Sequence, residues 1–210
     1  MKIERKSNIE ILRIICMILI LSGHLIGQGQ LLNTHFGHNW LIYRFLTNGA
    51  RVSVNCFVII GAWFLVDMDF DFKRVLRIWL EVAFYNIILT GLMILLGQPV
   101  GIKRIVQIFI PIFGEPLWFA SVYIGLLIIS PFLNKILNCC SQTIIKKFLI
   151  ITTLAFSVSA TLIPTADVLY SNIGWFIYLY ILIGYYKRYI ITENTRKMCV
   201  GGEDTYYLQV

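Results

Sequence analysis

Ile9-Glu10-Ile11-Leu12-Arg13-Ile14-Ile15-Cys16-Met17-Ile18-Leu19-Ile20-Leu21-Ser22-Gly23-His24-Leu25-Ile26 decides how this chain is read. A run this apolar approaches the ~20 residues that cross a bilayer. Yet Arg13 and His24 lie inside it. Ionisable groups within a span are costly and point to a cavity, a partner or a reaction. At ~3.6 residues per turn, their spacing brings both to one helix face. At ~1.5 Å per residue they stand ~16 Å apart along the axis, one near each membrane surface. A cation near one surface and a titratable imidazole near the other outline a polar path.

Composition agrees with a membrane protein. Hydrophobic residues make up 58% of the 210, and mean hydropathy is +0.77. The 14% of charged residues cannot cover the exterior of a soluble domain of this length. A net charge of +7 in a soluble chain would suggest nucleic acid. Here Lys and Arg gather in short clusters between apolar segments, as orientation signals do, so no nucleic-acid partner is expected. Cys16, Cys56, Cys139, Cys140 and Cys199 follow no zinc or redox spacing and are expected as free thiols. The basic start Met1-Lys2-Ile3-Glu4-Arg5-Lys6 resembles a signal peptide, but the apolar run after it is too long, and a retained first helix is expected.

The reading is an all-α, polytopic bundle of about six spanning helices. Ser7-Asn8-Ile9-Glu10 has the form of a capping box, which starts the first helix near Asn8. Further apolar segments cover about 52–66, 75–96, 118–133, 148–163 and 174–186. The transmembrane part is placed at 1–190 and a polar cytoplasmic tail at 191–210. Between the second and third segments stand Lys73, Arg74 and Arg77. Lys135, Lys146 and Lys147 follow the fourth, and Lys187, Arg188, Arg196 and Lys197 the sixth. Alternate loops are poorer, with Arg44 and Arg51 in one and Lys103 and Arg104 in another. This alternation places both termini in the cytoplasm of a multi-pass protein of the cell membrane. Ile105, Ile108, Phe109 and Ile112 recur at helical spacing, which predicts an interfacial helix over 102–113.

Each polar constellation has two readings. Arg13 and His24 form either an anion binder and a general base, or a snorkelling cation paired with Glu10 and an interfacial imidazole. Arg74 and Arg77 share a face and either hold phosphate groups or form a positive-inside cluster. Glu81 lies one turn after Arg77 and is expected to pair with it, as Glu10 is with Arg13. His35 and His38 lack the acid or thiol that would complete a metal site, so no metal is expected. Asn55 and Asn86 either line a polar cavity or hydrogen-bond between helices, the second being the favoured reading for each taken singly. Neither a nucleophile elbow nor a P-loop is present.

Four motifs in order carry a resemblance. Asn8-Ile9-Glu10-Ile11-Leu12-Arg13 with His24 resembles the Arg, ten residues, His signature in the first helix of the acyltransferase 3 family. Val54-Asn55-Cys56-Phe57-Val58-Ile59-Ile60-Gly61-Ala62-Trp63-Phe64 is similar to its second helix, with Ile60 where that family usually has Ser. Arg74-Val75-Leu76-Arg77 matches its Arg-x-x-Arg. Leu117-Trp118-Phe119 through Tyr123 to Ser130-Pro131-Phe132-Leu133-Asn134 resembles its "WFL…Y…SPxLN" region. The resemblance implies an inner-membrane enzyme that takes acyl groups, often acetyl, from acyl-CoA to a hydroxyl of a surface polysaccharide, peptidoglycan or lipid. It implies His24 as base, Arg13 in support, and Arg74 with Arg77 on the donor, with no bound cofactor. The alternative is a non-catalytic membrane protein, a transporter-like subunit or remnant. Family members have about ten spanning helices, so this chain is expected to be a truncated form.

Overall fold

The computed structural model describes residues 7–31, 38–101, 106, 118–158 and 172–191. These residues form helices and no strand: α1 (Ser7–Gln28), α2 (His38–Leu65), α3 (Phe72–Leu95), α4 (Trp118–Cys139), α5 (Gln142–Thr153) and α6 (Asn172–Tyr185). α5 runs on as a π-helical turn, Leu154–Val158, and α6 as another, Tyr186–Ile191. The expected interfacial helix and polar tail fall outside the described residues, save for Val106 and Ile191. So do the side chains of His35 and His38.

Four helices, α1 to α4, are long and apolar enough to cross a membrane. Among the described residues the expected count of about six is therefore met by four helices and not confirmed beyond them. α5 and α6 have only 12 and 14 α-helical residues before the wider π turns extend them.

Contacts divide the chain into two units, Met1–Phe64 and Leu65–Val210. In the first unit, α1 meets α2 through small residues. A Cβ on Gly23 would come within 2.5 Å of Ala50 Cβ, and Leu19 packs on Gly49. Such contacts let helix backbones approach closely where lipid removes any hydrophobic driving force between helices. Most of the remaining apolar surface of α1, including Ile14, Met17, Ile18 and Leu21, is exposed, as a lipid-facing helix requires.

The second helix corrects the sequence reading. Apolarity alone predicts it over about 52–66, with Arg44 and Arg51 in a loop. It begins instead at His38, and both arginines are helical. No proline interrupts its 28 residues. Arg44, Asn48, Arg51 and Asn55 recur at i, i+4, i+7 and i+11, so they lower local hydropathy without breaking helical periodicity. Thr47 returns its hydroxyl to Tyr43 O at 2.8 Å, a bond that keeps it compatible with a helix interior.

In the second unit, α3 is closed at both ends. Asp71 adopts extended backbone and accepts from Lys73 N at 2.9 Å, an N-cap. At the other end Gly97 takes φ +70. Gly97 N donates to Ile94 O at 3.0 Å and Gln98 N to Met93 O at 2.9 Å, the Schellman pattern that satisfies terminal carbonyls.

α4 and α6 form the centre of this unit, with Leu126, Leu137, Phe176 and Tyr180 essentially without exposed surface. Gly184 lets α6 close on Leu137, whose Cδ1 occupies the space a Cβ would need. Pro131 sits inside α4 and has no N–H to give Leu127 O four residues earlier. Ser130 Oγ donates to that carbonyl at 2.8 Å. The Ser-Pro pair therefore opens and repairs the same hydrogen bond. One turn on, Asn134 accepts from Tyr180 OH at 2.8 Å and donates to Leu65 O, the first residue of this unit, at 3.3 Å, which fixes α6 and that carbonyl to α4.

Candidate active site

Each cluster of candidate residues belongs to one unit and is built there. In the first, Arg13 Nη1 donates to Glu10 Oε1 at 3.2 Å, one turn earlier on α1. Both are substantially exposed, at 37% and 48%, so the pair holds Arg13 without enclosing it. His24 is also exposed. Cys16 and Ile26 are buried, while Leu19 and Gly23 contact α2. By helical spacing Arg13 and His24 lie within about 20° of one another, on a flank of that packed side. The face that carries them is open to whatever lies beside α1.

The second cluster opens α3. Arg74 is half-buried and Arg77 exposed. Arg74 lines a small cleft with Asp69, Asp71, Val75, Leu127 and Ser130. The expected Arg77–Glu81 ion pair is absent among the described residues; Glu81 is exposed one turn on, where solvation competes well with a surface pair. Sequence reasoning passed over the acids here. Asp67, Asp69 and Asp71 alternate just before Lys73. Asp71 is occupied as a cap, and Asp67 forms an ion pair with Lys187. Their regular spacing was the available signal. The consequence is chemical: two of the nearby acids already have cationic or N–H partners, and Arg77 stays exposed.

The third set is structural. Trp118, Phe119 and Tyr123 belong to the fourth of the sequence motifs. Phe119 stacks on Tyr123 with ring centroids 6.0 Å apart, and meets Phe176 edge-on at 5.7 Å. Trp118 lies 6.4 Å from Phe176. Arg188 donates to Asn138, and Thr153 and Tyr178 share a hydrogen bond of 2.9 Å between α5 and α6. These contacts lock the helices that follow the two clusters.

Asn86 and Thr90 lie one turn apart on the buried side of α3. Thr90 Oγ1 has no hydrogen-bond partner among the described residues. Cys16, Cys56, Cys139 and Cys140 are free thiols. Among the described residues no three His, Cys, Asp or Glu side chains gather to hold a metal.

The arrangement offers one imidazole and, three turns away on the same side of α1, one guanidinium, with two more guanidinium groups at the start of α3. The family described as "Acyltransferase domain" matches residues 6–198. No curated protein and no solved structure matches the chain.

Proposed function

The chain belongs to this acyltransferase family, and on that premise we propose that it transfers an acyl group, acetyl in the simplest case, from acyl-CoA to a hydroxyl of a cell-surface glycan or glycolipid. The match over 6–198 carries the reading, because it covers all four motifs. The chemistry needs a base for the hydroxyl and cations for the donor phosphates. His24 takes the proton from the acceptor hydroxyl as its oxygen attacks the thioester carbonyl; the CoA thiolate leaves. Arg13, kept in place by Glu10, supports the same polar path three turns from His24 and supplies positive charge near the other membrane surface. Arg74 and Arg77 bind the phosphates of the donor.

The correction in α2 supports an orientation with both termini in the cytoplasm. With Arg44 and Arg51 moved into a helix, the segment between α1 and α2 is poorer in positive charge than the sequence reading had it. Arg74 and Arg77 then face the compartment that supplies acyl-CoA.

Acetyl-CoA binding by the purified protein in nanodiscs tests this. Arg74→Ala with Arg77→Ala is expected to weaken binding about 10- to 100-fold, the loss of two charge-assisted contacts. Unchanged affinity in that double variant would remove these residues from the donor site.

A further inference from the structure

We infer that α2 carries an anion-binding face, built from Arg44, Asn48, Arg51 and Asn55, that grips an acidic group of the carbohydrate acceptor. That the ligand is an acceptor rests on the transferase reading; that it is acidic rests on α2 itself.

The first observation is depth. The hydrocarbon core takes ~20 helical residues. Counted back from Leu65, the last residue of α2, that length ends near Leu46. Asn48 and Arg51 lie inside it, and Arg44 lies just beyond. The apolar run from Val52 onward is too short to span alone, so Arg51 cannot be placed outside the membrane by sliding the helix.

The second is periodicity. The four residues occupy one face, turned away from Gly49 and Ala50 where α1 packs. Arg44, Asn48 and Arg51 are exposed and Asn55 is half-buried. An arginine and an asparagine on a lipid-facing stripe are costly, so this face meets something polar.

The third is sign. α2 contains no Asp or Glu, and the acid of α1, Glu10, is paired with Arg13. Arg44 lies over the Trp40 ring at 5.0 Å, which steadies its side chain at the start of the stripe but leaves its charge uncompensated. Among the described residues neither Arg44 nor Arg51 has an ion-pair partner, so an anionic ligand finds both charges available. Guanidinium groups with amides between them suit a carboxylate or phosphate set among hydroxyls.

The fourth is level. The Gly23–Ala50 contact brings their neighbours His24 and Arg51 to the same height. An acid held at Arg51 therefore keeps the acceptor at the depth of the proposed base.

The test uses the full chain in phosphatidylcholine nanodiscs, titrated with a uronic-acid tetrasaccharide and with its carboxyl-reduced, neutral counterpart. The wild type is expected to prefer the acidic probe about tenfold, the scale of one charge-assisted contact. Arg51→Gln should bring that preference close to unity, and Arg51→Lys should keep part of it. Equal binding of both probes by the wild type overturns the proposal. So does a full preference in a helical Arg51→Gln protein. Phosphatidylglycerol that abolishes the preference through Arg51 would make the face a lipid-headgroup site, which also overturns it. Acetyl-CoA binding measured in the same nanodiscs separates the two claims: its absence removes the transferase reading and leaves the acid preference to be judged alone.

Discussion

α1 and α4 are both apolar helices of 22 residues, and both carry family motifs, but they treat their polar side chains in opposite ways. In the most apolar window of α1 only 11% of residues are buried; in α4 the share is 39%. The polar groups of α4 are consumed by structure: Ser130 repairs the gap left by Pro131, and Asn134 holds Tyr180 and Leu65. Those of α1 are held outward, with Arg13 tied among the described residues to Glu10 one turn away and His24 exposed. Motif residues of one family thus divide into those that build the scaffold and those left available for chemistry. Burial and hydrogen-bond partners tell them apart where sequence alone does not.

The sharpest way to break this contrast is at Asn134. Asn134→Leu removes two hydrogen bonds and leaves the hydroxyl of fully buried Tyr180 without its acceptor. A loss of about 2–4 kcal/mol is expected, read as a lower unfolding midpoint in detergent, because an orphaned buried group costs more than the bond is worth. Tyr180→Phe in the same background should recover part of it. If Asn134→Leu is as stable as wild type, α4 is not the scaffold described.

A smaller effect is expected from Ser130→Ala, about 1–2 kcal/mol, since it leaves Leu127 O unpaired. The same substitution made in Pro131→Ala should cost much less, because residue 131 then supplies its own N–H. A double-mutant cycle in thermal unfolding measures the coupling. Equal costs in both backgrounds would show that Ser130 and Pro131 act separately.

The smallest effect lies at the surface. Asp67 is 57% exposed, so Lys187→Ala should change stability by less than about 1 kcal/mol despite the ion pair. A larger loss, persisting at high salt, would place this pair with the scaffold rather than at its rim.

The same contrast explains what the sequence revealed. α1 and α3 were legible because their apolar residues run without interruption and a cap or basic cluster marks the start. The beginning of α2 was not. Arg44, Asn48 and Arg51 depress hydropathy as a loop would, and only their spacing along one face distinguishes a polar-striped helix from a connection. The Arg13–Glu10 pair was readable from i,i+3 spacing, since it is local. Arg77 and Glu81 have equally favourable spacing but remain apart, because a solvated surface pair gains little. The roles of Ser130 and Asn134 depend on a missing N–H and on partners as distant as Leu65 and Tyr180, which spacing cannot supply.

The central claim is that α1 keeps its polar face for chemistry. It is tested most directly by His24→Gln, with transfer of labelled acetyl from acetyl-CoA to envelope glycan measured in membrane vesicles alongside the unfolding midpoint. The account predicts an unchanged midpoint and a turnover lower by about 100- to 10,000-fold, the usual cost of a lost general base. Turnover near that of the wild type would show that the imidazole serves only structure and would contradict the division between the two helices.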